Sequence, residues 1–229
     1  MKELTGMTYS VYNNVVNNGT HILIAGTQGS GKSTLINGLI HSICYKNPTP
    51  TLYLIDPKRV DLRKFRNMRI VKKRATEGCE AIALLNEVIN IMENRYKAME
   101  KADLDLYDGN DIYIIIDEIA DLMDTNGKEV IPLIKRIAQL GRAAKIHLIV
   151  ATQILLAEII KTAISGNFDT KIALRTVTAN QSRVILGING AEQLPRHGYG
   201  IIYNADGIKR YELPKIPDEE LNKVINYYN

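Results

Sequence analysis

The segment GTQGSGKS, at residues 26–33, is the feature that most constrains what this chain can fold into. It matches the pattern G-x-x-x-x-G-K-[ST] at every fixed position. The apolar stretch HILIA lies just before it, and a helical pattern covers residues 32–45 just after it. A strand, a glycine-rich turn and a helix in this order are the parts of a phosphate-binding loop. A glycine-rich turn that matches by chance would not explain these flanking segments, so we predict a nucleotide site.

The residue types in this loop suit a bound triphosphate. Glycines let the backbone curl so that several N–H groups point at phosphate oxygens, and the following helix directs its positive end to the same place. Lys32 supplies a positive charge to the β- and γ-phosphates, and the Ser33 hydroxyl is a ligand for Mg²⁺. The predicted contacts to the nucleotide are Gly26, Thr27, Gln28, Gly29, Ser30, Gly31, Lys32, Ser33 and Thr34.

Two adjacent acids, Asp117 and Glu118, follow the apolar stretch IYIII at residues 112–116. Buried strands rarely end in paired carboxylates for packing reasons, because burying charge is unfavourable. The alternative is that both acids face solvent at the end of the strand. Beside a phosphate loop we expect Asp117 to complete the Mg²⁺ site and Glu118 to orient and polarise the attacking water. GTP specificity would need an N-K-x-D motif, and the nearest match, at residues 222–225, lacks the aspartate. The predicted cofactors are therefore ATP and Mg²⁺.

A third apolar stretch, at residues 146–151, ends in Thr152 and Gln153, and Arg142 lies just before it. A polar residue at the place of Gln153 can contact the γ-phosphate or its attacking water. Arg142 has two interpretations. It is a cation favoured by the dipole at the end of the preceding helix, or it is an arginine finger that reaches the nucleotide of a neighbouring subunit.

Strand-like and helix-like patterns alternate along the chain, which predicts an α/β fold with a mostly parallel central sheet. The predicted strands lie at residues 21–25, 52–55, 68–71, 112–116, 146–151, 171–174 and 200–203. The predicted helices lie at residues 32–45, 77–101, 128–142, 157–164, 180–186, 191–194 and 219–228.

Composition excludes several function classes. No run of about 18 apolar residues occurs, which argues against a transmembrane helix and against direct membrane insertion by this chain. The two cysteines, Cys44 and Cys79, form neither a disulfide framework nor a CxxC metal site, so we expect a cytoplasmic protein.

Basic charge is concentrated in residues 58–74. This segment carries nine basic residues against one acid, Asp61, which gives a net charge of +8 in a chain of +4. One interpretation is a solvated surface connection, and the other is a surface that faces phosphates. The residues predicted to contact DNA on the second interpretation are Lys58, Arg59, Arg63 and Lys64.

Together these residues resemble the motor domain of the FtsK/SpoIIIE DNA translocases. The resemblance covers residues 20–205 and depends on several blocks in the family's order. These blocks are HILIAGTQGSGKS at 21–33, LIDPKRVDL at 54–62, MENRYKAM at 92–99, IIIDEIADLM at 114–123, AQLGRAAKIHLIVATQ at 138–153 and SRVILGINGAEQL at 182–194.

The resemblance implies a three-layer RecA-like P-loop NTPase that works as a homo-oligomer, a hexameric ring with double-stranded DNA threaded through its centre. ATP hydrolysis would then drive movement along the DNA. It also favours the interpretation of Arg142 as a finger that acts on a neighbouring subunit. We expect one motor domain over residues 1–229, with an N-terminal extension at 1–19, a RecA-like core at 20–205 and a C-terminal tail with a short helix at 206–229.

The sequence departs from the family after Gln153, where Ile154-Leu155-Leu156 replaces the common Arg-Pro-Ser. Residues 154–170 lie where a pore-facing loop is expected. Two alternatives therefore stay open. The same motor could move single-stranded DNA in conjugation or protein cargo, as type VII secretion ATPases do. The chain could also be a regulatory module that binds ATP without moving a substrate.

Overall fold

The structure, a computed structural model, describes residues 10–153 and 165–229. Its centre is a sheet of eight strands. The strands are β1 (His21–Ala25), β2 (Thr51–Ile55), β3 (Val71–Ala75), β4 (Ile112–Ile116), β5 (Ile146–Thr152), β6 (Thr170–Ala173), β7 (Tyr199–Asn204) and β8 (Gly207–Glu212). The α-helices are α1 (Ser10–Asn18), α2 (Lys32–Lys46), α3 (Gly78–Ala102), α4 (Ile119–Leu140), α5 (Ala179–Leu186) and α6 (Asp218–Tyr228).

The strand order is β3-β2-β4-β5-β1-β6-β7-β8. All pairs from β3 to β6 are parallel, whereas β7 and β8 join antiparallel at one edge. Every residue of β1 and β4 is buried, as expected for strands covered on both faces. This arrangement confirms the predicted α/β fold with a mostly parallel sheet.

Helices cover both faces of the sheet and form a three-layer structure. One core contains apolar side chains of α1, α2 and α6, and the other contains those of α3 and α4. A smaller cluster joins α5 to β1, β6 and β7. Since β1, β4 and β5 are parallel neighbours, their carboxyl ends lie at the same edge of the sheet, and this edge carries the candidate site.

The first helix belongs to the core. The ring of Tyr12 in α1 packs so closely on Gly38 of α2 that a Cβ on Gly38 would lie 2.5 Å from the ring. The Tyr12 hydroxyl donates a hydrogen bond to the carbonyl oxygen of Pro214 at 2.6 Å. This contact ties α1 and the phosphate-loop helix to the chain that follows β8.

The eighth strand, β8, is absent from the sequence prediction. Its residues, GIKRYE, are largely polar and exposed, so no apolar pattern marks them. The strand forms because Gly207, with φ of +96°, closes a tight hairpin with β7. Between residues 206 and 229 the chain therefore has a strand as well as the predicted helix. The predicted division of the chain into extension, core and tail stays a prediction.

Two predicted boundaries are wrong. The strand expected at residues 68–71 lies at Val71–Ala75, where the cationic sequence VKKRA concealed it. The helix expected at residues 128–142 begins at Ile119 and continues through a kink at Asn126, whose backbone is non-helical. The same helix ends at Leu140, so Arg142 lies in the turn beyond it. The helix predicted at 157–164 lies outside the described residues.

None of the helices in residues 10–153 and 165–229 is both long and apolar enough to cross a membrane.

Candidate active site

The phosphate loop and the start of α2 line an open cleft of about 400 Å³ at the carboxyl edge of the sheet. Gly31, immediately before α2, has φ of +101°, a conformation that glycine adopts without strain. The cleft is lined by Thr27, Gln28, Gly29, Gly31, Lys32, Ser33, Thr34, Asp61, Gln153 and His197. The predicted loop residues therefore share one cavity, except that the buried Gly26 and Ser30 lie behind it.

Lys32 extends from the first turn of α2 to the end of β4. Its ammonium group is buried and donates a hydrogen bond to the carbonyl oxygen of Asp117 at 3.0 Å. The same nitrogen lies 3.4 Å from Glu118 Oε2 and 3.7 Å from Asp117 Oδ1. The three charged residues that the sequence predicted separately thus form one cluster.

Asp117 is fully buried, and neither of its carboxylate oxygens has a hydrogen-bond donor among the described residues. Burial raises the pKa of Asp117 to about 6, the Lys32 charge opposes this shift, and the carboxylates of Asp61 and Asp56 add to it. A buried carboxylate without a donor, beside a phosphate loop, fits the role of a Mg²⁺ ligand. The Ser33 hydroxyl, in the first turn of α2, lines the same cleft.

Glu118 is 1% exposed and is held from three sides. Its two carboxylate oxygens each accept a hydrogen bond from the backbone N–H of Gln153 at 3.0 Å. Lys32 contacts it from the phosphate loop, and Lys58, from the loop after β2, lies 3.3 Å from Oε2. The backbone N–H of Gln153 therefore holds the Glu118 carboxylate, and Gln153 also lines the cleft.

A second buried acid fixes the loop after β2. Asp56 is fully buried and forms an ion pair with Arg74 Nη2 at 2.8 Å. Its other oxygen accepts a hydrogen bond from the N–H of Val60 at 3.2 Å. Asp56 therefore anchors the loop that carries Lys58 in two ways, to β3 through Arg74 and to the backbone of the loop itself through Val60.

Two residues that line the cleft, Asp61 and His197, were not predicted as site residues. Asp61 was visible only as the single acid in a basic segment. His197 lies just before β7, far from the phosphate loop in sequence, and only the sheet order brings it close. It also borders an adjoining cavity of about 330 Å³ whose walls include Leu35, Leu174 and Leu213.

Arg142 lies at the opposite edge of the sheet from the cleft. It is exposed and makes no ion pair with the residues described. Its neighbour Gly141 packs beside the ring of His21, the first residue of β1. Burial lowers the pKa of His21 to about 4, and the Arg142 charge contributes to this shift. Because the phosphate loop follows the other end of β1, a five-residue strand of roughly 16 Å separates Arg142 from the cleft of its own chain.

The basic segment does not form one continuous surface of free charges. Lys58 contacts Glu118, and Arg59 forms an ion pair with Glu77 at 2.9 Å. Arg63 and Lys64 line a separate surface pocket of about 300 Å³, together with Val60, Arg66 and Asn67. Of the four predicted DNA contacts, Arg63 and Lys64 are therefore the two that share an open basic surface.

Residues 154–156, where the sequence departs from the family pattern, lie outside the described residues. Most of the expected pore loop at 154–170 lies outside them as well. Gln153 is the last described residue before this gap.

Comparison with known proteins points to one family. The model of the FtsK/SpoIIIE family matches residues 3–111 and 105–156. The chain is 36% identical over 225 residues to a DNA translocase FtsK of Helicobacter pylori, with 90% of this chain and 26% of that protein covered. It is also 36% identical over 231 residues to a DNA translocase FtsK of Chlorobaculum tepidum, covering 29% of that protein. The chain thus spans between a quarter and a third of the length of these relatives.

Solved structures show the same fold. The monomer of the pCW3 conjugation coupling protein TcpA superposes with a TM-score of 0.82 at 22% identity, covering 93% of this chain and 66% of that one. The cytoplasmic domain of the type VII secretion ATPase EccC of Thermomonospora curvata gives a TM-score of 0.75 at 22% identity, covering 91% and 28%. At 22% identity, this similarity shows that the chain shares the three-layer fold of these proteins, and it shows the fold alone.

Replacing Asp117 with Asn should stabilise the protein without nucleotide at pH 8. Since burial holds the pKa of the folded carboxyl near 6, above its ordinary value of 3.8, the folded protein binds this proton more tightly than the unfolded chain does. The stability that the wild type gains from this tighter proton binding is fully present below about pH 4 and is lost as the pH rises through 6. The free energy of unfolding of Asp117→Asn should exceed that of the wild type by about 2–3 kcal/mol at pH 8.

Urea unfolding between pH 4 and pH 8 measures this difference, with Asp105→Asn, at an exposed acid, as the control. The gain of Asp117→Asn should shrink toward zero near pH 4, while the control should follow the wild type throughout. A gain that does not change with pH, or a loss of stability at pH 8, would contradict the account of the buried carboxyl.

Proposed function

The chain belongs to the FtsK/SpoIIIE family, and on that basis we propose that it is an ATP-hydrolysing motor domain that moves double-stranded DNA. The observation that carries the proposal is the buried cluster beside the cleft, where Asp117 and Glu118 both lie within hydrogen-bond or ion-pair distance of Lys32. A phosphate loop alone binds nucleotide. A buried glutamate beside it adds the group that hydrolysis requires.

In the proposed reaction the triphosphate lies along the loop of residues 26–34, with backbone N–H groups and Lys32 contacting its β- and γ-phosphates. Ser33 and Asp117 would hold Mg²⁺, whose charge offsets the negative charge that develops on the phosphate oxygens. Glu118 accepts the proton of the attacking water, and Gln153 lies at the cleft wall next to the γ-phosphate. The cleft lining supports the roles of Lys32, Ser33 and Gln153, and the burial of Asp117 and Glu118 beside Lys32 supports theirs.

Arg142 completes the site from a second subunit in this proposal. Its own cleft is out of reach because β1 lies between them, whereas its exposure leaves the guanidinium free to enter a neighbour's cleft. An arginine supplied in this way stabilises the charge of the transferring phosphate. The working form is therefore a homo-oligomer. A closed ring gives every cleft a neighbour and leaves a central passage for DNA, and a hexamer is the ring size that we propose.

The relatives at 36% identity are named DNA translocases, whereas the conjugation and secretion proteins are similar at 22% identity. These names favour DNA over protein cargo, and we propose double-stranded DNA, ahead of single-stranded DNA, as the form that the motor moves. A motor that consumes ATP on DNA works where both are found, so we propose a cytoplasmic location. The two cysteines are free, which agrees with a reducing compartment.

For the DNA contact we propose the surface pocket at residues 60–67. Arg63 and Lys64 border it, and Arg66 adds a third cation. Among the described residues no acid lines this pocket, although the charges of Asp218 and Asp61 act on Lys64 from nearby.

Mixing two inactive variants tests whether the site is shared between subunits. Glu118→Gln and Arg142→Ala should each lower ATP turnover about 100-fold or more, while each still binds ATP. In a mixed ring, some interfaces pair the intact Glu118 of one chain with the intact Arg142 of the other. Turnover should therefore return to roughly a quarter of the wild-type rate at a 1:1 ratio.

Arg136→Ala is the matched control, since Arg136 is an exposed arginine of α4 that pairs with Glu93. It should leave turnover unchanged. A mixture that stays inactive, although both variants enter the same oligomers, would mean that Arg142 does not act across the interface.

The salt dependence of duplex DNA affinity tests the proposed contact surface. Changing Arg63, Lys64 and Arg66 together to Gln should weaken binding and reduce the slope of log affinity against log salt by about 0.9 per lost phosphate contact. The control is the same change at Lys209 and Arg210 of β8, which is the outermost strand on the opposite side of the sheet from β3. This variant should leave the slope unchanged. An unaltered slope in the triple variant would remove this surface from the DNA contact.

A further inference from the structure

Lys58 has contacts that neither the phosphate loop nor the basic surface explains. Its ammonium group lies 3.3 Å from Oε2 of the buried Glu118 and 3.8 Å from Oδ2 of Asp121 in the first turn of α4. The Lys58 side chain is 37% exposed, so it reaches the buried Glu118 from the protein surface.

The backbone under Lys58 is held in place. The N–H of Arg59 donates to the carbonyl oxygen of Asp56 at 3.0 Å, and the N–H of Val60 donates to the Asp56 carboxylate. Asp56 in turn is fixed by Arg74 and by its own N–H, which donates to the carbonyl oxygen of Ala75 at 2.9 Å. These bonds set the position from which the flexible lysine side chain extends toward Glu118.

Glu118 has two cationic neighbours in this structure, but one of them has another task. Once a triphosphate fills the cleft, Lys32 is the group that meets its phosphates, and this draws the Lys32 charge away from Glu118. The remaining contacts of the carboxylate are the N–H of Gln153 and the ammonium of Lys58. A buried carboxylate without a cation would be strongly unfavourable, so the second lysine becomes its main counter-charge.

We propose that Lys58 is a positioning residue for hydrolysis, which holds the Glu118 carboxylate aimed at the attacking water while Lys32 binds phosphate. Asp121 is the second carboxylate that contacts the Lys58 ammonium and helps to keep it in this position. The role rests on the proposed ATPase function. It replaces the DNA contact predicted for Lys58, because an ammonium already shared by two carboxylates offers little attraction to a DNA phosphate.

Steady-state ATPase assays without DNA, combined with binding of a fluorescent ATP analogue, test the role. Lys58→Met should lower kcat about 10- to 100-fold, while KM and the Kd of the analogue stay within about twofold. Lys58→Arg, which keeps the charge, should recover a substantial part of kcat. Asp121→Asn should lower kcat by only about two- to fivefold. Lys72→Met, at an exposed lysine of β3 in the same basic segment, is the control and should match the wild type.

A change in Kd with an unchanged kcat would overturn the proposal, and so would a Lys58→Met variant that loses DNA affinity but keeps full DNA-free turnover.

A double-mutant cycle read by urea unfolding gives a readout that does not need turnover. Lys58→Met and Glu118→Gln should shift the unfolding midpoint non-additively, whereas additive shifts would show that the two side chains do not interact. If the wild type binds ATP without hydrolysing it, the proposed ATPase function and this role both fail. The assay of the wild type alone detects that outcome and separates it from a failure of the Lys58 role only.

Discussion

The site is organised by two buried carboxylates, Asp117 and Glu118, which end a strand with no exposed residue. Charges placed so far from water must be balanced by neighbours, and here the balance is made by Lys32 from the phosphate loop and by Lys58 from the loop after β2. The backbone N–H of Gln153 supplies the remaining hydrogen bonds to Glu118. Three loops that are distant in sequence are thereby held around one cleft.

The parallel sheet explains why these groups meet and why Arg142 does not join them. Residues that follow β1, β2, β4 and β5 share the carboxyl edge, and all the clustered charges come from those positions. Arg142 precedes β5 and so lies at the other edge. A chain built in this way has a phosphate-binding edge and an exposed arginine on opposite sides, which suits the head-to-tail contacts of a ring.

Much of this arrangement could be predicted from the sequence because the relevant signals are local. The phosphate loop has a fixed spacing, and an apolar strand that ends in two acids is unusual for packing reasons alone. Contacts that depend on long-range order were not predictable. Lys58 and Arg59 are adjacent and equally basic, and only the fold directs one to Glu118 and the other to Glu77. The polar strand β8 and the cleft residue His197 likewise carry no local signal.

The proposed roles of Glu118 and Arg142 require that ATP is hydrolysed at a site that two subunits share on DNA. The most direct measurement is the turnover per chain as a function of protein concentration, with and without duplex DNA, together with the mass of the species in solution. Turnover per chain should rise with concentration in step with the formation of oligomers, and duplex DNA should increase it further. A rate per chain that is the same for monomers and oligomers and does not respond to DNA would contradict it.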